Sequence, residues 1–285
     1  MTEATATLCV ATFNVRAAIG PGPFPSLWWH HIDGARLGRI GEVIKAMDAD
    51  LVALQEVALL SLDGETLDNV GELARQAGYD ARFGATRHFP LCEADGRLSG
   101  AGLFGNAILS RLPIRAARTI GLPSAPDLAI VEAAGADDPL AGVPYADAPP
   151  WVREPRCLLR CDLALPGGGT LVAASTHLSH IGSAERRMQA DAAHAALGLA
   201  PGPTLLAGDF NAAIDADELT PLGRDWDDAF EAAGVPADDE RRRSCGRDAI
   251  DQLFTRGLET TDCRVVTEAA DASDHWPVLA TMRIQ

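Results

Sequence analysis

The 285-residue chain predicts an α/β protein, either one mixed sheet or two sheets packed together, with helices outside. Three observations carry that expectation. Strand-like and helix-like segments alternate early in the chain, strand-like stretches follow one another later, and polar clusters sit at the ends of the apolar runs. Apolar residues make up 47% and charged residues 22%, a balance that suits a globular chain with a large core rather than a disordered one.

Residues 6–15 read as an apolar strand that stops at Asn14. Leu37, Ile40, Val43, Ile44 and Met47 then share one face of a helix over 36–47. Residues 50–57, DLVALQEV, read as a buried strand. Leu67, Val70, Leu73 and Ala74 mark a second helix, with Gly78 as its C-cap. Strands are expected near 79–84, 105–110, 113–120, 156–165 and 170–176, and a helix fits 183–198. A strand near 203–208, a short helix near 224–233 and strands near 249–255, 261–266 and 276–283 complete the pattern. There is no internal repeat and no Gly/Ser-rich linker, and the polar clusters run from Asn14 to His275, which predicts one domain over 1–285. Its irregular part is 121–155, which carries seven prolines and six acids. A stretch of that kind is either a lid over a site or a tolerated surface insertion.

The formal net charge is -16 and the pI near 4.7, a field that repels polyanions and opposes tight nonspecific DNA binding. Lys45 is the only lysine, so no lysine-rich groove exists. The N-terminus has no basic segment followed by an apolar stretch, and no run reaches the length of a membrane span. The expectation is a soluble cytoplasmic protein. The six cysteines form no C-x-x-C and no zinc-finger spacing, which argues against a structural zinc site and a disulfide framework.

The chemistry lies in the clusters. Glu56 follows Leu51-Val52-Ala53-Leu54, and Asp209 and Asn211 follow Thr204-Leu205-Leu206-Ala207. Asp274-His275 precedes a third apolar run. Each alone reads as a turn or a solvated strand end; together they do not. A lone buried carboxylate is costly unless paired or metal-bound, and acids converging on one pocket repel each other. A hard divalent cation relieves that repulsion and prefers oxygen ligands, so Mg2+ (or Mn2+) fits Glu56 and Asp274 with the Asn14 amide. Phosphate ester hydrolysis needs that arrangement: a metal, an activated water and donors around the phosphoryl oxygens. His275 with Asp251 could orient or deprotonate the water, and His177 and Asn211 could donate to the phosphate.

The ordered motifs FN-x-R at Phe13–Arg16, LQEV at Leu54–Val57, GNAILSR at Gly105–Arg111, THL at Thr176–Leu178, GDFN at Gly208–Asn211, IDQLF at Ile250–Phe254 and SDHWPV at Ser273–Val278 span nearly the whole chain. This set resembles the endonuclease/exonuclease/phosphatase superfamily, with its deoxyribonuclease-like fold. The resemblance implies a four-layer α/β sandwich, two mixed β-sheets packed face to face with helices outside. It also implies roles. Asn14 and Glu56 hold the metal with Asp274 nearby, Asp209 and Asn211 position water and phosphate, and His275 is the general base oriented by Asp251. His177 stabilises the phosphoryl oxygens or helps the leaving group, and Asn106 lines the pocket. His177 speaks against the apurinic-site nuclease branch, which lacks it. Gln252 replaces the usual aromatic residue after the IDxxF aspartate, and Trp28 and Trp29 stand well ahead of Arg36, a stretched version of the tryptophan–arginine element.

Three peripheral features have two readings each. Trp28 and Trp29 could stack on a base or sugar, but packing onto the helix at 36–47 is preferred. Arg241, Arg242, Arg243 and Arg247 could contact phosphate, but a solvated loop balanced by Asp238, Asp239 and Glu240 is preferred. Arg186 and Gln189, on the helix after THL, form a pair that recurs in the family this chain resembles, but a helix-surface or packing role is preferred. The leading expectation is a metal-dependent phosphoesterase for small or single-stranded phosphoesters. The alternatives are a nuclease acting on duplex DNA and a binding module that kept the fold.

Overall fold

A computed structural model describes residues 7–23, 25–124 and 154–284. Most of the 121–155 segment, and with it the lid expectation, lies outside the described residues.

The elements form two sheets. The first contains β1 (Thr7–Asn14), β2 (Leu51–Leu62), β3 (Glu65–Asp68), β4 (Asp80–Cys92), β5 (Leu98–Ser110), β12 (Leu258–Val265) and β13 (Val278–Ile284), in the order β12-β13-β1-β2-β5-β4 with β3 on β2. The second contains β6 (Ile114–Gly121), β7 (Cys157–Ala164), β8 (Thr170–His177), β9 (Thr204–Asp209), β10 (Asp227–Asp228) and β11 (Asp251–Arg256), in the order β10-β11-β9-β8-β7-β6. Helices α1 (Gly34–Met47) and α2 (Asn69–Ala77) pack on the first sheet and α3 (Ser183–Gly198) on the second. The short α4 (Ala229–Ala232) contacts β12. The architecture is a four-layer α/β sandwich.

Strand periodicity builds the layers. Val10, Leu51, Leu171, Ala173, Leu205 and Ala207 point into the core between the sheets. Their neighbours Ala11 and Val52 face α1 and α2, while Val172, Ala174 and Leu206 face α3. Fully burying Ile40, Ile44 and Leu73 against the first sheet contributes about 1.5–3 kcal/mol each. Local signals set the helix ends. The Asp33 carboxylate accepts from Ala35 N at 2.8 Å and that of Asp68 from Gly71 N at 2.8 Å. Gly78, at φ 77°, closes α2 in the left-handed region as its position predicts.

Two parallel crossovers position the site. β1 and β2 pair in parallel from Val10↔Leu51 to Asn14↔Gln55 around α1. β8 and β9 pair in parallel from Val172↔Thr204 to His177↔Asp209 around α3. Both therefore aim their C-terminal strand ends at one edge of the sandwich, where ligands of α/β sheets bind.

Some elements exceed the sequence expectation. β2 runs on to Leu62, and β4 and β5 form a hairpin that reaches Cys92 and Leu98. Pro90, Gly100, Gly102 and Gly105 hide that hairpin because they read as turn residues. Gly100 is required by close approach, since a β-carbon there would collide with the Ser61 carbonyl oxygen. The helix expected near 224–233 shrinks to Ala229–Ala232 behind β10, because the Asp228 carboxylate caps it at that point.

Candidate active site

Strand ends deliver most of the site. Asn14 ends β1, His177 ends β8 and Asp209 ends β9, and Asp251, which begins β11, pairs directly with Asp209. Asp274 and His275 lie in the turn before β13. Glu56 comes differently. The β2–β5 register shifts between Leu54 and Val57, and Glu56 sits in the bulge with φ 53°. Leu54 and Val57 both face the α1–α2 core, while Gln55 turns inward and its Nε2 donates to Ser175 Oγ at 3.1 Å. The extra residue breaks the two-residue period and re-aims the carboxylate into the cleft, a strained conformation typical of functional sites.

A hydrogen-bond network joins the two sheets. The Asn14 Nδ2 donates to Glu56 Oε1 at 2.9 Å and to Asp209 Oδ2 at 3.0 Å. Asn14 Oδ1 accepts from Arg16 N at 3.0 Å. His177 Nε2 lies 3.4 Å from Asp209 Oδ2, and its Nδ1 lies 4.0 Å from Glu56 Oε1. The Asn211 amide, set at φ 50°, reaches His177 Nε2 at 3.0 Å and donates to Leu178 O at 3.0 Å. His275 Nδ1 is 2.8 Å from Asp251 Oδ2, which leaves its Nε2 3.8 Å from Asp209 Oδ2. The buried Ser244 hydroxyl donates to the same Asp251 oxygen at 2.6 Å.

Burial and charge tune these groups. Desolvation, aided by Asp274, pushes the Glu56 carboxyl up to about 7 against the hydrogen bond from Asn14. Desolvation and repulsion from Asp251 push Asp209 up to about 6. Burial, with Arg156 nearby, holds His177 well below its ordinary value, so the imidazole is neutral. Burial alone would lower His275 too, but the Asp251 carboxylate outweighs it and holds the group well above its ordinary value.

Two raised, buried carboxylates are what a missing counter-charge produces, and a divalent cation would supply it. Glu56, His177 and Asp209 offer ligand atoms within 4.8 Å of one another, as do Asp209, Asp251 and His275. These donors suit a metal. Glu56 is common to the first of these groups and the set expected from sequence; Asn14 and Asp274 stand beside it, with Asp274 Oδ2 3.2 Å from Arg16 Nη1.

The structure thus brings together Asn14, Glu56, His177, Asp209, Asn211, Asp251, Asp274 and His275. Asn106 is the correction. It is buried, its Nδ2 donates to Cys157 O at 3.0 Å, and it is not among the residues lining the cleft. Its place in mid-β5 turns the amide into a cross-link to β7 rather than toward the cleft. Trp28 is buried as expected for packing, but against Phe89 and Phe104, with ring centroids 5.8 and 5.5 Å away, rather than on α1. The loop arginines divide. Arg241 and Arg243 pair locally with Asp239 and Glu240, as a solvated loop predicts, while buried Arg242 pairs with Asp228 at 2.7 Å and takes Gln252 Oε1 at 3.2 Å. Arg186 pairs with Glu218 at 2.7 Å, and Gln189 Oε1 accepts from Ser179 N at 2.8 Å, both packing roles.

Sequence reasoning missed Ser244, Arg87, Glu154 and Arg156, and gave Arg16 no role. Arg16 carried a signal as the last residue of FN-x-R; the others sit in segments with no motif. Arg87, Glu154 and Arg156 line a cleft of about 810 Å³ together with Glu56, His177, Asp209 and His275.

Comparison with known proteins agrees with this fold. The model for the Endonuclease/Exonuclease/phosphatase family covers residues 11–275. A UPF0294 protein of Vibrio vulnificus (strain YJ016) is 30% identical over 142 residues, 49% of this chain and 49% of its own length. The chain thus spans about half the length of the curated relatives it matches. A solved endonuclease/exonuclease/phosphatase from Beutenbergia cavernae DSM 12333 superposes with TM-score 0.70 at 23% identity, over 98% of this chain and 72% of that one. D. rerio TDP2 complexed with single strand DNA product superposes with TM-score 0.63 at 17% identity, over 97% and 99%.

Proposed function

The chain belongs to the Endonuclease/Exonuclease/phosphatase family, and from that premise we propose that it is a divalent-metal-dependent hydrolase of phosphate esters, acting on small or single-stranded phosphoesters. The observation that carries this reading is the convergence of Glu56, His177 and Asp209 beside the Asp251–His275 pair at one edge of both sheets.

Glu56, with Asp274 and Asn14 beside it, would hold the cation. The oxygen-rich donors favour Mg2+, with Mn2+ as the alternative. The bound ion supplies positive charge against the phosphoryl oxygens. The chain does the rest. Asp251, itself held by Ser244, fixes His275 so that Nε2 is free to take a proton from the attacking water. Asp209 and Asn211 orient that water and the phosphate. His177, neutral through burial, donates to the phosphoryl oxygens as charge builds or assists the departing oxygen.

The substrate preference rests on charge and shape. A net charge of -16 opposes duplex DNA, which needs many cationic contacts along its backbone. The cleft of about 810 Å³ suits a small phosphoester or a single strand end. A fold relative was solved with single strand DNA product. Among the described residues no helix is long and apolar enough to cross a membrane, and the six free thiols support a cytoplasmic setting. The test is a phosphoester panel assayed with Mg2+ and with chelator, covering nucleic acids, nucleotides, sugar phosphates and phospholipid head groups. Hydrolysis without metal, or of duplex DNA above all others, overturns the reading.

A further inference from the structure

The cleft that holds the candidate catalytic residues also has a lining of a different chemistry. Trp28, Trp29, Phe89 and Phe104 form an aromatic wall, and Arg87 and Arg156 interrupt it. Trp28 and Trp29 meet edge to face with centroids 6.1 Å apart, and Arg87 Cζ lies 4.7 Å from the Phe89 ring centroid. The wall is built, not incidental. It joins the loop after β1 to the long β4–β5 hairpin, and His30 Nε2 clasps Glu93 Oε2 across that seam at 2.8 Å.

Resting on the phosphoesterase reading, we propose that this wall is a specificity pocket for a flat heteroaromatic ring carried by the phosphoester, with the ring face against Trp29 and its polar rim toward Arg87 and Arg156. Three features select that class. Indole and phenyl groups offer a planar apolar surface, and stacking on such a surface recognises any flat ring. The charged groups exclude a plain hydrocarbon chain. Glu154 is shared by Arg87 at 3.9 Å and Arg156 at 3.4 Å, so two guanidinium groups face one carboxylate. An acyl chain laid there would desolvate all three with no compensating hydrogen bond, whereas ring carbonyls and ring nitrogens can accept from the arginines. The third feature is position. His177, Asp209 and His275 line the same cleft, so one molecule can place a phosphate among them and a ring on the wall.

The pocket is separable from the chemistry, so it can be tested by binding alone. Isothermal titration in Mg2+ would compare uridine 5′-monophosphate, ribose 5-phosphate and octyl phosphate. The expected result is affinity for uridine 5′-monophosphate about tenfold or more above ribose 5-phosphate, with octyl phosphate no tighter than the sugar phosphate. Trp29→Leu should erase most of the gain. Arg87→Gln should reduce the uridine gain and improve octyl phosphate relative to it. Trp226→Phe, in the core under α3, should leave the ranking intact and controls for tryptophan loss. Equal affinity for the first two ligands, absence of binding, tighter binding of octyl phosphate, or a gain that survives Trp29→Leu overturns the pocket. A ring-dependent affinity in a protein that hydrolyses no phosphoester would keep the pocket and remove the phosphoesterase reading.

Discussion

The two parallel crossovers share one plan and use it differently. β1–α1–β2 and β8–α3–β9 each run from a strand with a polar last residue, through a helix, to a parallel strand bearing an acid. In the second, β9 stops at Asp209, which lies in register with His177. The acid falls at the strand end, and Asn211 turns the chain away at once. In the first, the register partner of Asn14 is Gln55, and Glu56 enters the site through a bulge while β2 continues for six further residues. That continuation carries β3 and the β4–β5 hairpin, and so the aromatic wall. The terminating strand gathers residues proposed for catalysis. The bulged strand supplies the proposed metal ligand and the aromatic wall in one element.

The largest expected effect tests whether the bulged half holds the metal. Chelation should abolish hydrolysis and Mg2+ should restore it, while Glu56→Gln should need far more Mg2+ for any activity, seen as a shifted metal titration. An unshifted titration would move the metal to the second half. The next effect belongs to the terminating half. His275→Ala should lower kcat by about 10²–10⁴ with no rescue by added Mg2+. A change confined to KM would remove His275 from the base role.

A subtler result separates the pair itself. As a base His275 must be neutral, so activity should rise with pH through its raised pKa. Asp251→Asn removes the charge that raises it, so the acid limb should move to lower pH while kcat falls. A limb that stays put assigns it to another group.

Stability effects then distinguish wall from catalytic half. Trp28→Ala should cost about 3–5 kcal/mol, read from the urea midpoint, because its ring is 6% exposed between Phe89 and Phe104. Asp68→Ala, which removes the α2 cap on the far side of the first sheet, should cost about 1 kcal/mol and leave kcat alone. A kcat loss there would tie the first sheet's outer layer to catalysis.

Periodicity in the chain determined the layers. The helical face at 36–47, the Gly78 cap and the helix at 183–198 are local facts, because each residue's face follows from its neighbours within a turn or two. Polar residues closing apolar runs likewise marked Asn14, Glu56, His177, Asp209, Asp251 and His275. Tertiary structure alone decided where those side chains point. Asn106 obeys the same strand pattern yet turns to Cys157, and Glu56 reaches the cleft only because the β2–β5 pairing forces a bulge. Ser244 joins Asp251 from a segment with no motif, and Trp28 packs on β4–β5 rather than on α1. The Asn14–Asp209 hydrogen bond spans 195 residues and crosses from one sheet to the other. Such contacts depend on how the two sheets register against each other, which is set by the packed core between them and not by any local repeat in the chain.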